Sequence, residues 1–206
     1  MGALTTGIAV ALLGGGLALT GCTASETVEE VTETETVVEE AEGDGAECEP
    51  TDDALQSFVA QAGEPSIEVP LPAGWTATDK ANSSTIRGAI QNESAAKDGY
   101  VPNVTASITD HSGDNLSAQQ IIDLQLQTLE TAGTVVESAD SGMVCGLPSM
   151  RIGYTEAGHA INSVIVGAVN DASAFAVVVA ARTNDPGNAA YVEDMDAILD
   201  GVRVQF

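Results

Sequence analysis

Basic residues are scarce in this chain: six lysines and arginines stand against 31 aspartates and glutamates, a formal net charge of -25. Phosphate contacts need clusters of Lys or Arg, so nucleic acid is disfavoured as a partner. Direct adsorption to anionic lipid is disfavoured for the same reason. Aromatics are few, with one tryptophan, three tyrosines and three phenylalanines. Two histidines, His111 and His159, are the whole supply of imidazole bases. No charged side chain precedes Glu26. Within that uncharged stretch the apolar run Ile8 to Leu19 spans about a dozen residues, the length of a signal-peptide core rather than of a membrane span.

What closes that run is informative. Leu19, Thr20, Gly21 and Cys22 resemble the bacterial lipobox. The resemblance implies cleavage before Cys22 and transfer of a diacylglyceryl group to its sulfur, the thiolate being the nucleophile. The alternative is an uncleaved anchor over residues 3–21, but a span has no need of a terminal Gly-Cys followed by a polar tract. The segment before the run holds no Lys or Arg, which predicts that the true start lies upstream of Met1. The opening MGALTT also fits an N-myristoylation pattern, which the lipobox makes coincidental. Two acyl chains hold where one is marginal. The expected partner is thus the membrane, through the N-terminal lipid, at the outer face of a bacterial plasma membrane.

Residues 26–53 are dense in Glu and Asp and contain no base. Such a stretch buries too little apolar surface to offset its ordering entropy, and self-repulsion extends it. The expected division is a signal peptide at 1–21, an acidic stalk at 22–50 and a folded domain at 51–206. With Cys22 lipidated, Cys48 and Cys145 are left as an even pair in an oxidising compartment, which predicts a disulfide between them. Two separate buried thiols are the alternative.

Within the domain, Thr51 is expected to cap a helix that starts at Asp52 and Asp53, with Leu55, Phe58, Val59 and Ala62 on one face and Gly63 ending it. Alternation of Ile67, Val69 and Leu71 reads as a strand, and Pro70 suggests a sheet edge. Trp75 opens the next strand, and 84–91 and 100–109 are two more. Ser117 caps a second helix with Ile121, Ile122, Leu126 and Leu129 inward, closed by Gly133. Strands follow near 134–139, 148–155, 160–169 and 173–182. The last contains AFAVVVAA, apolar on both faces and so expected at the sheet centre. EAGH at 156–159 is a hairpin turn. Pro186 opens a helix with Tyr191, Val192, Met195, Ile198 and Leu199 inward, and GVRVQF is a closing strand. Strands joined by short loops, with helices on the faces, make an α+β domain built on a mostly antiparallel sheet.

The stretch PSIEVPLPAGWTATD, in a chain ordered as lipobox, linker and domain, resembles the LpqN/LpqT-type lipoproteins of mycobacteria and related actinobacteria. The resemblance covers about residues 52–206. It implies a PsbP-like α/β/α sandwich and a non-enzymatic role in building the cell envelope or in mycolate lipid traffic. The Glu-rich stalk is longer than the linkers of that family.

Motifs for chemistry are weak. Ser94 and Lys97 match Ser-x-x-Lys, yet no Lys-Thr-Gly accompanies them. GMVCG lacks the nucleophile of Gly-x-Ser-x-Gly. His159 reads as a solvated turn residue. His111, near Asp110 and Asp114, reads as part of a turn that precedes a helix, with too few neighbours for a metal. No cofactor is called for and no catalytic residue is assigned. Trp75, Tyr100 and Tyr154 are candidate contacts for a ligand or partner, able to stack on a sugar or line a lipid groove, with core packing as their alternative. The reading is an adaptor within an envelope-biogenesis complex. Its alternatives are a small-ligand or glycolipid carrier and an envelope hydrolase.

Overall fold

A computed structural model describes residues 48–206. The expected signal peptide, the expected lipobox with Cys22 and nearly all of the expected stalk lie outside the described residues.

The strands are β1 (Leu55–Phe58), β2 (Ser66–Pro70), β3 (Thr76–Thr78), β4 (Ile86–Gln91), β5 (Asn103–Asp110), β6 (Val136–Val144), β7 (Leu147–Glu156), β8 (His159–Val169), β9 (Ala174–Thr183) and β10 (Arg203–Gln205). The helices are α1 (Ala118–Thr131) and α2 (Ala189–Asp200), with a 3-10 turn at Glu93–Ala95. Seven strands form one sheet in the order β3-β4-β5-β9-β8-β7-β6, and β1-β2-β10 form a second. Every pairing among these named strands is antiparallel. The expected α+β class is what the chain adopts.

β9 is fourth of seven, and its two apolar faces each meet a layer. Val177, Val179 and Ala181 join Val104, Ala106, Ile108, Val164 and Val166 in the main core, with Tyr191, Met195, Ile198 and Leu199 of α2 and Ile67 and Val69 of β2. Ala176 and Val178 turn the other way. There Ile121 and Ile122 of α1 pack against Ala174, Ile152 and Ile165. One helix therefore covers each face. α1 sits so close to β8 that a Cβ added at Gly167 would overlap the Ala118 carbonyl.

Two hairpins turn through two residues with positive φ, Cys145-Gly146 and Ala157-Gly158, the backbone a type I′ turn demands. The second is the EAGH turn expected from the sequence.

The helix expected at 51–62 is absent, and residues 55–58 are strand β1, paired with β2. Thr51 does accept from the Asp53 N–H, as an N-cap would, but the chain that follows pairs with β2 instead of continuing as a helix. The apparent apolar stripe is short and is not buried as one: Val59 is 80% exposed, whereas Phe58 is buried against the flat backbone of Gly88. Pro70 lies in the middle strand of its sheet, not an edge strand. The Leu71 N–H goes to the Ala54 carbonyl, so alternation turns the nitrogen of Pro70 away from β1, beyond the last β10 pair at Glu68. No ladder bond is lost there.

Candidate functional site

The two faces of the large sheet are not equally covered. α1 packs on β7, β8 and β9. On the same face, β3, β4 and β5 carry no helix among the described residues. The residues there follow from strand alternation: Val104, Ala106 and Ile108 enter the core, so Asn103, Thr105, Ser107 and Thr109 face outward, level with Gln91 and Thr78 on the neighbouring strands. These six are half-buried or exposed. The result is an open half-face of hydroxyl and amide groups, without a charge on β3–β5 except at its rim.

A single tyrosine, Tyr100, borders it. One cross-strand row runs Tyr154, Ile161, Arg182, Asn103, Gln91 and Thr76. Arg182 is spent on Glu156 at 3.0 Å. Beside the middle of the row, where β5 and β8 begin, Tyr100 stacks on His159, ring centroids 4.2 Å apart. A turn at Asp98-Gly99 presents Tyr100, and the Asn103 amide donates to its phenol oxygen at 3.1 Å. Burial pushes the Tyr100 phenol above the usual tyrosine range, against that amide and the Arg182 charge. Burial raises Tyr154 too. Lys97 pairs with Asp185 at 2.8 Å, and its carbonyl accepts from the Asn184 amide. Arg182 and Lys97, the cations of this end, are thus each held by an acid. What remains to a visitor is hydrogen bonding and aromatic surface.

Of the aromatics singled out in the sequence, the structure brings Tyr100 to this border, leaves Tyr154 on β7 with β8 and β9 between it and the half-face, and removes Trp75 into the core. Trp75 is 3% exposed, its indole N–H donates to Asp194 at 2.8 Å, and its ring lies beside Tyr191. It is a core residue that anchors α2. Tyr154 also packs partly beneath α1. His159, expected to be a solvated turn residue, is half-buried, and its Nδ1 has no hydrogen-bond partner among the described residues. The stack with Tyr100 joins residues far apart in sequence and has no local signal. The polar alternation of Thr105, Ser107 and Thr109 was readable, but which half of the sheet α1 leaves open was not.

The hydrolytic motifs do not assemble. Ser94 donates its hydroxyl to Asn92, while Lys97 serves Asp185. His111 meets only Asp114, at 2.9 Å, and Ser112 bonds the Ala174 backbone instead. Among the described residues, no group of three His, Cys, Asp or Glu side chains is placed to hold a metal. Cys48 and Cys145 form a disulfide, which ties the start of the domain to the β6–β7 hairpin.

The architecture defines a class of protein, an α+β domain with a seven-stranded antiparallel sheet, one helix on each face and an open polar half-face. The chain belongs to the family described as "probable lipoprotein LpqN", which matches residues 56–205. It is similar in structure to LpqN of Mycobacterium tuberculosis, described as involved in cell envelope biogenesis. That likeness has a TM-score of 0.59 at 15% identity and covers 75% of this chain and 94% of that one, and it shows the shared fold. A Bacteroides thetaiotaomicron protein aligns with a TM-score of 0.40 at 12% identity, over 68% of this chain and 45% of its own. No curated protein matches.

Proposed function

We propose that this protein is a lipid-anchored, non-enzymatic adaptor of the bacterial cell envelope. In this reading Cys22 carries the lipid, residues 22–50 are the spacer, and the domain docks a partner protein of an envelope-building complex through its open half-face. Membership of the LpqN family over the folded domain carries the reading. The part played by the M. tuberculosis relative in envelope biogenesis supports it. So does the chemistry of the half-face, where Thr, Ser, Asn and Gln offer hydrogen bonds but no acid–base pair.

A second reading has its own observation. The Tyr100–His159 stack beside a hydroxyl- and amide-rich floor suits a sugar ring, as glycolipid carriage would require.

Two measurements test this. Labelled palmitate is expected to enter the wild type and not Cys22→Ser, with the variant moving from the membrane to the aqueous fraction; identical behaviour of the two would remove the anchor. Cross-linked capture from envelopes is expected to recover a defined set of proteins that is lost in Thr105→Arg. Recovery of glycolipid alone would favour the carrier. Capture unchanged by Thr105→Arg would refute docking at this face.

A further inference from the structure

β6 is the long open edge of the large sheet. Among the described residues it pairs only with β7, and residues 137–143 are exposed on a strand of 9 residues. The opposite edge, β3, has 3 residues, and the edges of the small sheet, β1 and β10, have 4 and 3. In a hairpin with a two-residue turn, the pair that flanks the turn exchanges both backbone bonds, and bonded pairs then alternate. Val144 and Leu147 flank the Cys145-Gly146 turn. Hence Val144, Gly142, Asp140 and Ser138 bond to β7, while Ala139, Ser141 and Met143 direct N–H and C=O outward. Pro148 opposite Met143 agrees, since that pair needs no N–H. Three donor–acceptor sets therefore stand in a row, about 7 Å apart, the template for strand addition.

Charge selects the occupant. Asp140 is the central residue of β6 and makes no ion pair among the described residues. Its cross-strand neighbour Arg151 is already held by Asp196, at 2.5 Å, and by Asp200, both on α2. Glu137 adds a second acid on β6. A second copy of this chain fits poorly. A fully overlapped antiparallel pair would set Asp140 against Asp140 at a non-bonded position, where side chains approach most closely, on chains of net charge -25. We propose that the β6 edge accepts an extended basic segment of another polypeptide as an added strand, with Lys or Arg opposite Asp140. This goes beyond the adaptor reading and uses a different surface from the half-face.

The probe is a fluorescent peptide of alternating lysine and threonine, titrated by anisotropy into the full-length protein at about 0.15 M salt. Saturable binding is expected. The same peptide with its central threonine replaced by proline, at equal charge, is expected to bind about tenfold more weakly for each strand bond lost. Ser141→Pro removes one outward N–H and no ladder bond to β7, and is expected to weaken the parent peptide by the same factor. Asp140→Lys is expected to weaken it also. Hydrogen exchange provides a readout that needs no variant: the amides of Ala139, Ser141 and Met143 should gain protection on binding. Absence of binding, equal binding of the proline peptide, or no added protection at those amides would each overturn the proposal. A failed envelope capture would sink the half-face adaptor alone, because this titration uses purified protein.

Discussion

At the scale of single residues, function and packing compete for the same few aromatics. Trp75 is in the core because α2 supplies Asp194 to satisfy its indole N–H while the apolar ring fills space beside Tyr191. Tyr100 stays at the rim because the Asp98-Gly99 turn lifts it off the sheet and His159 rises from β8 to meet it. Neither fate is encoded beside the residue itself. Glycine is just as specific where backbones approach. Gly167→Ala would drive a methyl into the Ala118 carbonyl, and backbone yields less readily than a side chain end. This substitution is expected to cost about 1–3 kcal/mol, measured as a lower urea midpoint at unchanged slope. An unchanged midpoint would show that α1 lifts away at no cost.

At the scale of elements, termini decide what periodicity leaves open. α1 has a full capping box. The Ser117 hydroxyl accepts from the Gln120 N–H, and the Gln120 side chain accepts from the Ser117 N–H. Ser117→Ala is expected to cost about 1 kcal/mol, and Ser117→Asp to restore most of it, by thermal denaturation followed by circular dichroism. Equal stability of wild type and alanine variant would mean that packing alone fixes the start of α1. At residues 51–62 the opposite happened. An apparent cap and an i, i+3, i+4 spacing suggested a helix, but β2 offered a ladder. A stripe of four apolar residues fits two periods when the segment is short. Only the partner strand, more than ten residues away in the register Leu55 to Pro70, separates them. The strands β7–β9 and the hairpin at 156–159 were legible because alternation and turn chemistry agree over long runs. β6, expected only near 134–139, runs on to Val144, and its residues 137–143 are all exposed and carry no alternation to read.

At the scale of the whole molecule, a single covalent link joins the beginning of the described chain to the distal hairpin. Cys48 and Cys145 are 97 positions apart. Closing a loop of that size removes much denatured-state entropy, about 4.7 kcal/mol for about 100 residues in the chain-entropy model. Reduction, or Cys145→Ser, is expected to lower stability by about 2–5 kcal/mol in denaturant titrations with and without reductant. Cys48→Ser and the double variant should match the single one, because the same bond is lost in each. Stability that ignores reductant would show that the strap is held by packing instead. The link also fixes the start of the described chain beside the hairpin that ends β6.

By itself, the sequence determined the class of the fold, the central place of AFAVVVAA and the pairing of two cysteines, because these rest on alternation, composition and parity, which are properties of the chain read in order. Tertiary structure alone decided which half of the sheet α1 leaves open, that Trp75 is buried while Tyr100 reaches the rim, and that β6 ends the sheet with Asp140 at its centre. Those outcomes depend on distances between residues remote in sequence. Packing chooses among faces that the pattern of apolar residues leaves equivalent.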